Sequence, residues 1–401
     1  MPADVPFLSG LLTADEVAGT AASIAAMQEP TGAIPWTPGE HTDIWNHVEG
    51  AMALLVGGFV AEAERALRWM PSMQRADGSW PLKIVGGRVE DASGETNVSA
   101  YPAVGLWHHW LVRRDRSFVA ELWPAVRRGL DWVVSRQLPF GGIAWSQEWH
   151  DGVPATVNEE ALLAGSSSIY HSLRAGVALA ELLGERQPDW EVAGGRLGHA
   201  VREHRDLFLD KRTYSMDWYY PVLGGAVRGP AAHELLAARW DDFVVPGLGI
   251  RCVDTNPWVT GAETCELAMA LESLGDHVRA RRLVADMLHL REPDGRCWTG
   301  FVFPENVNWP VEHTSYTAAA LVLAVDALAA HDHGGGTSGS DIMRGDTLAR
   351  HFPELGLECG CPPVGADVSA DDPADDPADD SADDPADGSA DRVAGLPTHS
   401  A

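Results

Sequence analysis

The sequence predicts an all-α protein, an (α/α)6 toroid in which six inner helices form a ring and six outer helices surround it. Two observations lead to this prediction. Helices that are apolar on every side alternate with amphipathic helices, at roughly one pair per 45–60 residues. A turn of similar composition also recurs where outer helices are expected to end. An open row of such pairs would expose an apolar flank at each end, so we expect the row to close into a ring.

The first inner helix shows the inner pattern. It starts with polar residues between Asp43 and Glu49 and continues as an almost wholly apolar run to Val56. A helix without a continuous polar face has to be buried on all sides. The same pattern predicts six inner helices, over residues 43–59, 99–113, 159–184, 217–224, 260–275 and 312–330.

The outer helices are amphipathic. The first begins at a capping box, in which Thr13 is followed three residues later by Glu16. The second carries Glu62, Arg65 and Arg68 on one face, which we expect to be exposed to water. The predicted outer helices cover residues 13–28, 60–74, 117–137, 188–207, 230–243 and 276–290.

The composition divides the chain into a body, residues 1–333, and a tail, residues 334–401. The tail opens on a glycine run and ends in degenerate repeats of Ala, Asp and Pro; residues 335–401 hold 15 acidic residues and 3 arginines. Such a segment buries too little apolar surface to offset its chain entropy, so we expect it to be disordered and its deletion to leave the melting temperature nearly unchanged. A short apolar patch, residues 351–357, is the part that could dock on the body. The sequence does not identify a partner for the tail.

Charge and composition exclude several classes of protein. The formal net charge of −29 disfavours nucleic acid as a partner, because phosphate binding needs clustered basic residues. No apolar run is long enough for a transmembrane helix, and no basic stretch precedes an apolar core near Met1. The five cysteines are too scattered for a disulfide framework. We therefore expect a cytoplasmic protein.

The recurring turn consists of a glutamine, or once an arginine, followed by glycine four residues later and then by tryptophan. Glycine ends a helix and turns the chain, the polar side chain can bind terminal carbonyls, and we expect the tryptophan to pack over the turn. The four copies are Gln28–Gly32–Trp36, Gln74–Gly78–Trp80, Gln137–Gly141–Trp145 and Arg291–Gly295–Trp298.

These turns resemble the Gln–Trp repeats of the terpenoid cyclase and protein prenyltransferase superfamily. The resemblance covers the body and implies an α/α toroid. The Asp-x-Asp-Asp motif of the protonating cyclases is absent. The zinc ligands of the prenyltransferases are echoed by Asp294, Cys297 and His313, but an extra residue separates the aspartate from the cysteine. We predict no metal and no cofactor.

In a toroid, the polar starts of the inner helices meet at one mouth. We predict that Asp217 and Asp43 are catalytic. The residues predicted to bind substrate are acids, an amide, histidines and aromatic rings: Trp45, His47, Glu49, Asn97, Tyr101, Trp218, Tyr219, Trp258, Glu263, Trp298, Trp309, Glu312, His313 and Tyr316.

The two aspartates have different surroundings in the sequence. Asp217 lies among aromatic residues, where burial should raise its pKa, as a general acid near neutral pH requires. Asp43 shares a helix face with His47 and is expected to stay ionised, as a base or nucleophile. Structural roles are the alternatives: Asp43 as a helix N-cap, Glu263 in a capping box with Thr260, and His47 as a hydrogen-bonding partner of a neighbouring helix. For Trp45, Trp258 and Trp309, packing rather than substrate binding is the alternative, and taken singly it is the one that the sequence favours.

This mixture of acids, amides and indole rings suits a sugar, which hydrogen-bonds at its edges and stacks its C–H faces. We therefore predict a carbohydrate-active enzyme that cleaves a glycosidic bond by paired-carboxylate acid–base chemistry, acting on a small molecule or an oligosaccharide. The α/α toroid also occurs in several glycoside hydrolase families. One alternative is an isoprenoid enzyme, either a prenyltransferase or a relative of the terpene cyclases. The other alternative is a non-catalytic binding toroid.

Overall fold

A computed structural model describes residues 5–340, 342 and 352. Within these residues the chain is mostly helical. In chain order the helices are α1 (Ala14–Met27), α2 (Ile44–Val56), α3 (Val60–Met73), α4 (Thr96–Ala100), α5 (Pro102–Arg113), α6 (Arg116–Val134), α7 (Leu163–Leu183), α8 (Pro188–Glu203), α9 (Ser215–Leu223), α10 (Gly229–Ala238), α11 (Trp240–Phe243), α12 (Gly261–Ser273), α13 (His277–Met287) and α14 (Ser315–Asp332).

The inner helices form a closed ring. Helix α2 packs against α5, α5 against α7, α7 against α9, α9 against α12, α12 against α14, and α14 against α2. The outer layer consists of α1, α3, α6, α8, α10 with α11, and α13. The inner helices are buried along most of their length, as the absence of a polar face predicts. Helix α4 adds a short turn before α5.

The connections differ from the all-α prediction, because they contain short antiparallel strands. These strands are β1 (Lys83–Val85), β2 (Arg88–Asp91), β3 (Gly94–Glu95), β4 (Ser146–His150), β5 (Val153–Asn158), β6 (Val244–Val245), β7 (Gly249–Arg251), β8 (Trp258–Thr260), β9 (Gly300–Val302) and β10 (Val307–Asn308). They form sheets of order β1-β2, β3-β4-β5 and β10-β9-β8-β7-β6. Each strand lies in a segment that leads into an inner helix, so the sheets gather at the end of the ring where the inner helices begin. Strands of two to six residues leave too little alternation to be read from the sequence.

The recurring turns join neighbouring outer helices. At the end of α3, the Gln74 amide nitrogen donates to the carbonyls of Gly78 and Ala125, both at 2.8 Å, and Ala125 lies on α6. Gly78 has a φ of +103°, and its α-carbon faces the Arg128 carbonyl so closely that no side chain would fit. Trp80 is fully buried and donates to the Met70 carbonyl at 2.8 Å. Equivalent amide bonds run from Gln28 to Gly32 and Glu62, and from Gln137 to Gly141 and Ala193.

The fourth turn closes the outer layer. Arg291, after α13, donates to the Thr20 hydroxyl at 2.9 Å and to the Glu16 carbonyl at 2.8 Å. Both acceptors lie on α1, so the last outer helix is linked to the first. The longer arginine side chain replaces glutamine at the junction between the two ends of the chain's helical array.

The described residues beyond α14 lie against the body. The Thr337 backbone N–H and hydroxyl donate to the Asp326 carboxylate at 2.6 and 2.7 Å, and the Ser338 hydroxyl donates to the Leu111 carbonyl at 2.6 Å. Ile342 and Phe352 are both buried. Phe352, in the predicted apolar patch, packs with its ring edge-on to Tyr170 at 5.6 Å. The remainder of the predicted disordered tail lies outside the described residues.

Candidate active site

Asp43 opens the first inner helix at the strand-lined end of the ring. Its carboxylate accepts hydrogen bonds from the Asn46 backbone N–H at 2.9 Å and from the Asn46 side-chain amide at 2.5 Å. Asp43 is thus the N-cap of α2, the structural alternative considered for it. The backbone of Thr42 pairs with Ile84 of β1, which fixes the approach to the helix. His41 Nε2 lies 3.9 Å from Asp43 Oδ2.

The surroundings of Asp43 are more apolar than predicted. Burial raises its pKa, while the hydrogen bonds from Asn46 and the charge of His41 act in the opposite direction. The role of Asp43 as an ionised base or nucleophile therefore depends on these opposing groups, because a carboxyl this buried loses most of its hydration. Glu95, on β3, has its pKa raised to about 8 by burial and by the charges of Asp43 and Asp91. The sequence places Glu95 before the second inner helix, among the polar residues expected at the mouth, but it was not among the residues predicted to be catalytic or to bind substrate.

Asp217 lies in the first turn of α9. Its Oδ1 accepts a hydrogen bond from the backbone N–H of Ala164, at the start of α7, with a distance of 3.1 Å. Burial raises its pKa to about 6. This agrees with the predicted direction and cause. Asp217 therefore lies between the starts of the third and fourth inner helices, whereas Asp43 caps the first.

Asn97 lies on α4, directly before the inner helix α5. It borders the start of α7, next to Ala164, whose N–H binds Asp217. Gly165 of α7 packs closely against the Asn97 side chain. A methyl group added to the Gly165 α-carbon would lie 3.6 Å from Asn97 Cβ. Asn97 is 1% exposed, and neither its amide oxygen nor its amide nitrogen has a hydrogen-bond partner. A buried amide left unpaired is costly, so this side chain is suited to bind hydroxyl groups of a ligand.

Two acids form a hydrogen-bonded network inside the ring. Glu49 accepts bonds from Trp45 Nε1 at 2.9 Å and from the Tyr101 hydroxyl at 3.0 Å. Burial raises its pKa to about 7. Trp45 also stacks on Tyr101, with ring centroids 5.0 Å apart. Three of the predicted binding residues, Trp45, Glu49 and Tyr101, are thus brought together.

The second acid is Glu266 of α12, which the sequence did not single out. The hydroxyls of Tyr220 and Tyr316 donate to its Oε1 at 2.9 and 2.8 Å, and Tyr219 donates to its Oε2. Burial, followed by the charge of Glu49, raises the Glu266 pKa to about 8. Its position in the middle of an apolar helix could have signalled a function, because an acid on such a helix needs partners.

The space inside the ring is narrow next to this network. A small cavity, large enough for about one water molecule, lies between the two acids and the apolar side chains next to them. It is lined by Glu49, Met52, Tyr101, Leu223, Glu266, Met269, Leu323 and Ile342. Ile342 lies beyond the last helix, so the chain after α14 also contributes to the lining of this cavity.

Glu263 joins two inner helices. The Ser215 hydroxyl, at the start of α9, donates to its Oε1 at 3.2 Å, and the Thr260 hydroxyl donates to its Oε2. The predicted capping box is not formed as expected, because the Thr260 side chain makes no bond to the helix backbone N–H groups. It bonds to the carboxylate of Glu263 instead.

Aromatic residues and Glu312 line the approach to the last inner helix. Trp36 Nε1 donates to Glu312 Oε1 at 2.9 Å, and the Trp36 ring lies 5.7 Å from that of Tyr316. Trp258, on β8, donates to the Trp309 carbonyl at 2.8 Å and meets the Trp309 ring edge-on at 5.2 Å. Both tryptophans therefore have packing partners in the sheet region.

His47 and Trp218 are corrections to the predicted binding set. His47 is fully buried; its Nδ1 accepts the Ile34 N–H at 3.0 Å, and its Nε2 donates to the Ala66 carbonyl of α3 at 2.9 Å. Burial lowers its pKa to about 4, so it is neutral. Trp218 donates to the Leu235 carbonyl of α10. Both side chains therefore face the outer layer, because a helix buried on all sides turns half of its residues away from the ring centre.

Trp298 and His313 form a separate contact at the turn after α13. Their rings lie 4.0 Å apart, and Trp298 Nε1 donates to Glu292 at 2.6 Å. Asp294 binds Arg296 instead of approaching Cys297, whose thiol is buried. Among the described residues no three or more His, Cys, Asp and Glu side chains are grouped as metal ligands. Nor does any described helix have the length and apolar character needed to cross a membrane.

Several solved structures share the fold. A glycosidase superposes with a TM-score of 0.62 at 16% identity, covering 80% of this chain and 97% of its own. The GH63 mannosylglycerate hydrolase of Thermus thermophilus, in complex with glucose, gives a TM-score of 0.56 at 14% identity over 77% of this chain and 99% of its own. A D-mannose isomerase gives 0.60 at 10% identity, over 78% and 96%. The architecture alone is thus compatible with more than one reaction.

The sequence comparison decides the class. The sequence matches no family model. It is 52% identical over 357 residues to the MMP endo-(1,4)-3-O-methyl-alpha-D-mannosidase of Mycolicibacterium hassiacum (strain DSM 44199), covering 89% of this chain and 96% of the relative. With the glycosidase fold and its buried carboxyls, this makes the protein a glycoside hydrolase. The chain belongs to the family of this endo-mannosidase.

The predicted glycosidase chemistry is thereby confirmed at the level of enzyme class. None of the relatives named here is a terpenoid cyclase or a protein prenyltransferase, so the resemblance of the Gln–Trp turns is supported only for the α/α architecture.

Proposed function

We propose that the protein is an endo-acting mannosidase that hydrolyses internal α-(1→4) bonds in chains of 3-O-methyl-D-mannose. The observation that carries this proposal is the 52% identity to the mannosidase named for that bond, across 96% of its length. An oligosaccharide substrate also suits the site, where acids, an unpaired amide and aromatic rings lie near one end of the ring. No observation favours the isoprenoid or binding alternatives.

The hydrolysis needs a carboxylic acid to protonate the leaving oxygen and a carboxylate to act as base or nucleophile. We assign the acid to Asp217, whose pKa is raised to about 6 by burial. We assign the carboxylate to Asp43, where two hydrogen bonds from Asn46 and the charge of His41 oppose the rise in pKa that burial causes. Each residue starts a different inner helix, so each is held by a ring element rather than by a free loop.

Asn97 is proposed to anchor a sugar hydroxyl between these two acids. Its amide offers one acceptor and two donor hydrogens, and none of them is used within the protein. Trp45 and Tyr101 add a stacked aromatic surface nearby. Methyl ethers make one side of the proposed substrate apolar, and indole and phenol rings can pack against such a surface.

The test is hydrolysis of a synthetic α-(1→4)-linked oligosaccharide of 3-O-methyl-D-mannose, followed by mass spectrometry of the products. We expect fragments from internal cleavage. Asp217→Asn and Asp43→Asn should each lower turnover by about a hundredfold or more, the range for one acid–base group, without a change in melting temperature. Asp241→Asn, an exposed aspartate on α11, is the matched control and should retain activity.

An intact oligosaccharide with the parent enzyme would contradict the proposed substrate. Cleavage at the parental rate by either active-site variant would contradict the assigned residues. We also propose that the protein is cytoplasmic.

A further inference from the structure

His41 lies beside the proposed catalytic carboxylate. Its Nε2 is 3.9 Å from Asp43 Oδ2, and its side chain is 23% exposed. The residue stands two positions before Asp43, outside the first inner helix, and the helical pattern of the sequence gave no reason to select it.

The imidazole ring is held in place by contacts on its other side. It stacks on Trp36, with ring centroids 6.1 Å apart and an interplanar angle of 11°. The Trp36 backbone N–H donates to the His41 carbonyl at 2.7 Å. The indole is itself held by the bond from Trp36 Nε1 to Glu312 at 2.9 Å. His41 therefore keeps its distance from Asp43 without a direct bond to it.

The charges around Asp43 come from several elements. Glu49, on the same helix, and Glu95, on β3, are acids whose ionisation opposes that of Asp43. Lys83 of β1 and Asp91 of β2 act on Glu95. The charge of His41 favours the ionised form of Asp43, as do the hydrogen bonds from Asn46.

We propose that His41 is a positioning residue for Asp43, and that its imidazolium form holds Asp43 ionised and thereby sets the lower pH limit of hydrolysis. This inference rests on the proposed function, since it takes Asp43 as the base or nucleophile. A positive charge at about 4 Å favours the carboxylate. Without that charge, Asp43 takes up its proton at a higher pH, and activity is lost earlier as the pH falls.

The experiment measures kcat/KM against pH on the synthetic 3-O-methylmannose oligosaccharide. Three variants separate charge from packing: His41→Gln removes both the charge and the ring, His41→Phe keeps the stacking on Trp36, and His41→Lys restores a positive charge. We expect the acid limb to move up by about one pH unit in the Gln and Phe variants, and to stay near the parental position in the Lys variant. His289→Gln, a histidine packed on Phe301 away from Asp43, is the matched control and should leave the limb in place.

Two results would overturn the inference. A parental acid limb in His41→Phe would show that the ring, not the charge, is what matters. An equal loss of activity at every pH in all three variants would show a purely structural role. Asp43→Asn distinguishes this from failure of the proposed function: if that variant is fully active, the assignment of Asp43 fails, whereas an inactive Asp43→Asn with unshifted His41 variants refutes only the role of His41.

Discussion

At the scale of single residues, burial decides which polar side chains can take part in chemistry. His47 is fully buried and Asp217 partly buried, and both lie near the starts of helices, yet their hydrogen bonds differ. His47 has both ring nitrogens bound to backbone groups and is neutral. Asp217 receives one backbone hydrogen bond, and burial raises its pKa to about 6.

The raised pKa of Asp217 predicts the alkaline side of the pH profile. A general acid works only while it is protonated, so kcat/KM should fall as the pH rises through about 6. The measurement is kcat/KM between pH 4 and about 9 on the methylated oligosaccharide. Asp241→Asn should show the same alkaline limb as the parent enzyme. A plateau that extends well beyond neutral pH would mean that another group is the acid.

At the scale of secondary-structure elements, the Gln–Trp turns act as links between outer helices. Each glutamine amide bonds to its own turn and to a carbonyl of the next outer helix. The acceptors on the next outer helix, Glu62, Ala125 and Ala193, lie within that helix rather than in its last turn, so the amide bridges two elements instead of capping a helix end. The turns are therefore explained by stability and do not by themselves imply isoprenoid chemistry.

Removing one link should destabilise the ring. Gln74→Ala breaks the bonds to Gly78 and Ala125, and we expect the free energy of unfolding to fall by about 1–3 kcal/mol. Urea denaturation measures this change. Gln187→Ala, at the start of α8 where the side chain makes no capping bond, is the matched control and should be nearly neutral. Equal stability of the Gln74 variant and the parent would remove the physical basis of the link.

At the scale of the whole molecule, the ring includes residues beyond its last helix. Thr337 and Ser338 bond to α14 and α5, and Ile342 lines the cavity. These contacts argue against the expectation that deletion from residue 335 leaves stability unchanged. The acidic repeats begin further on and have the composition of a chain without a core.

Two truncations test where the folded part of the chain ends. Deleting residues 353–401 should leave the melting temperature within about two degrees, since it removes only tail sequence. Deleting residues 335–401 also removes Ile342 and Phe352, whose burial contributes roughly 1.5–3 kcal/mol each, and should lower the melting temperature by several degrees. Differential scanning calorimetry compares the two. Equal melting temperatures of the two truncated proteins would show that the folded body ends at residue 333, as the sequence predicts.

The sequence by itself determined the alternation of inner and outer helices, the four linking turns, and the placement of Asp217 in an aromatic segment at the start of an inner helix. Each of these features can be recognised from the spacing of nearby residues, because helical periodicity and turn formation depend on near neighbours in the chain. Only the tertiary structure decided which side chains of the inner helices face the ring centre. In helices apolar on every side, no polar stripe marks the inward face, so Glu49 and Glu266 point inward and His47 outward solely through packing against neighbouring helices.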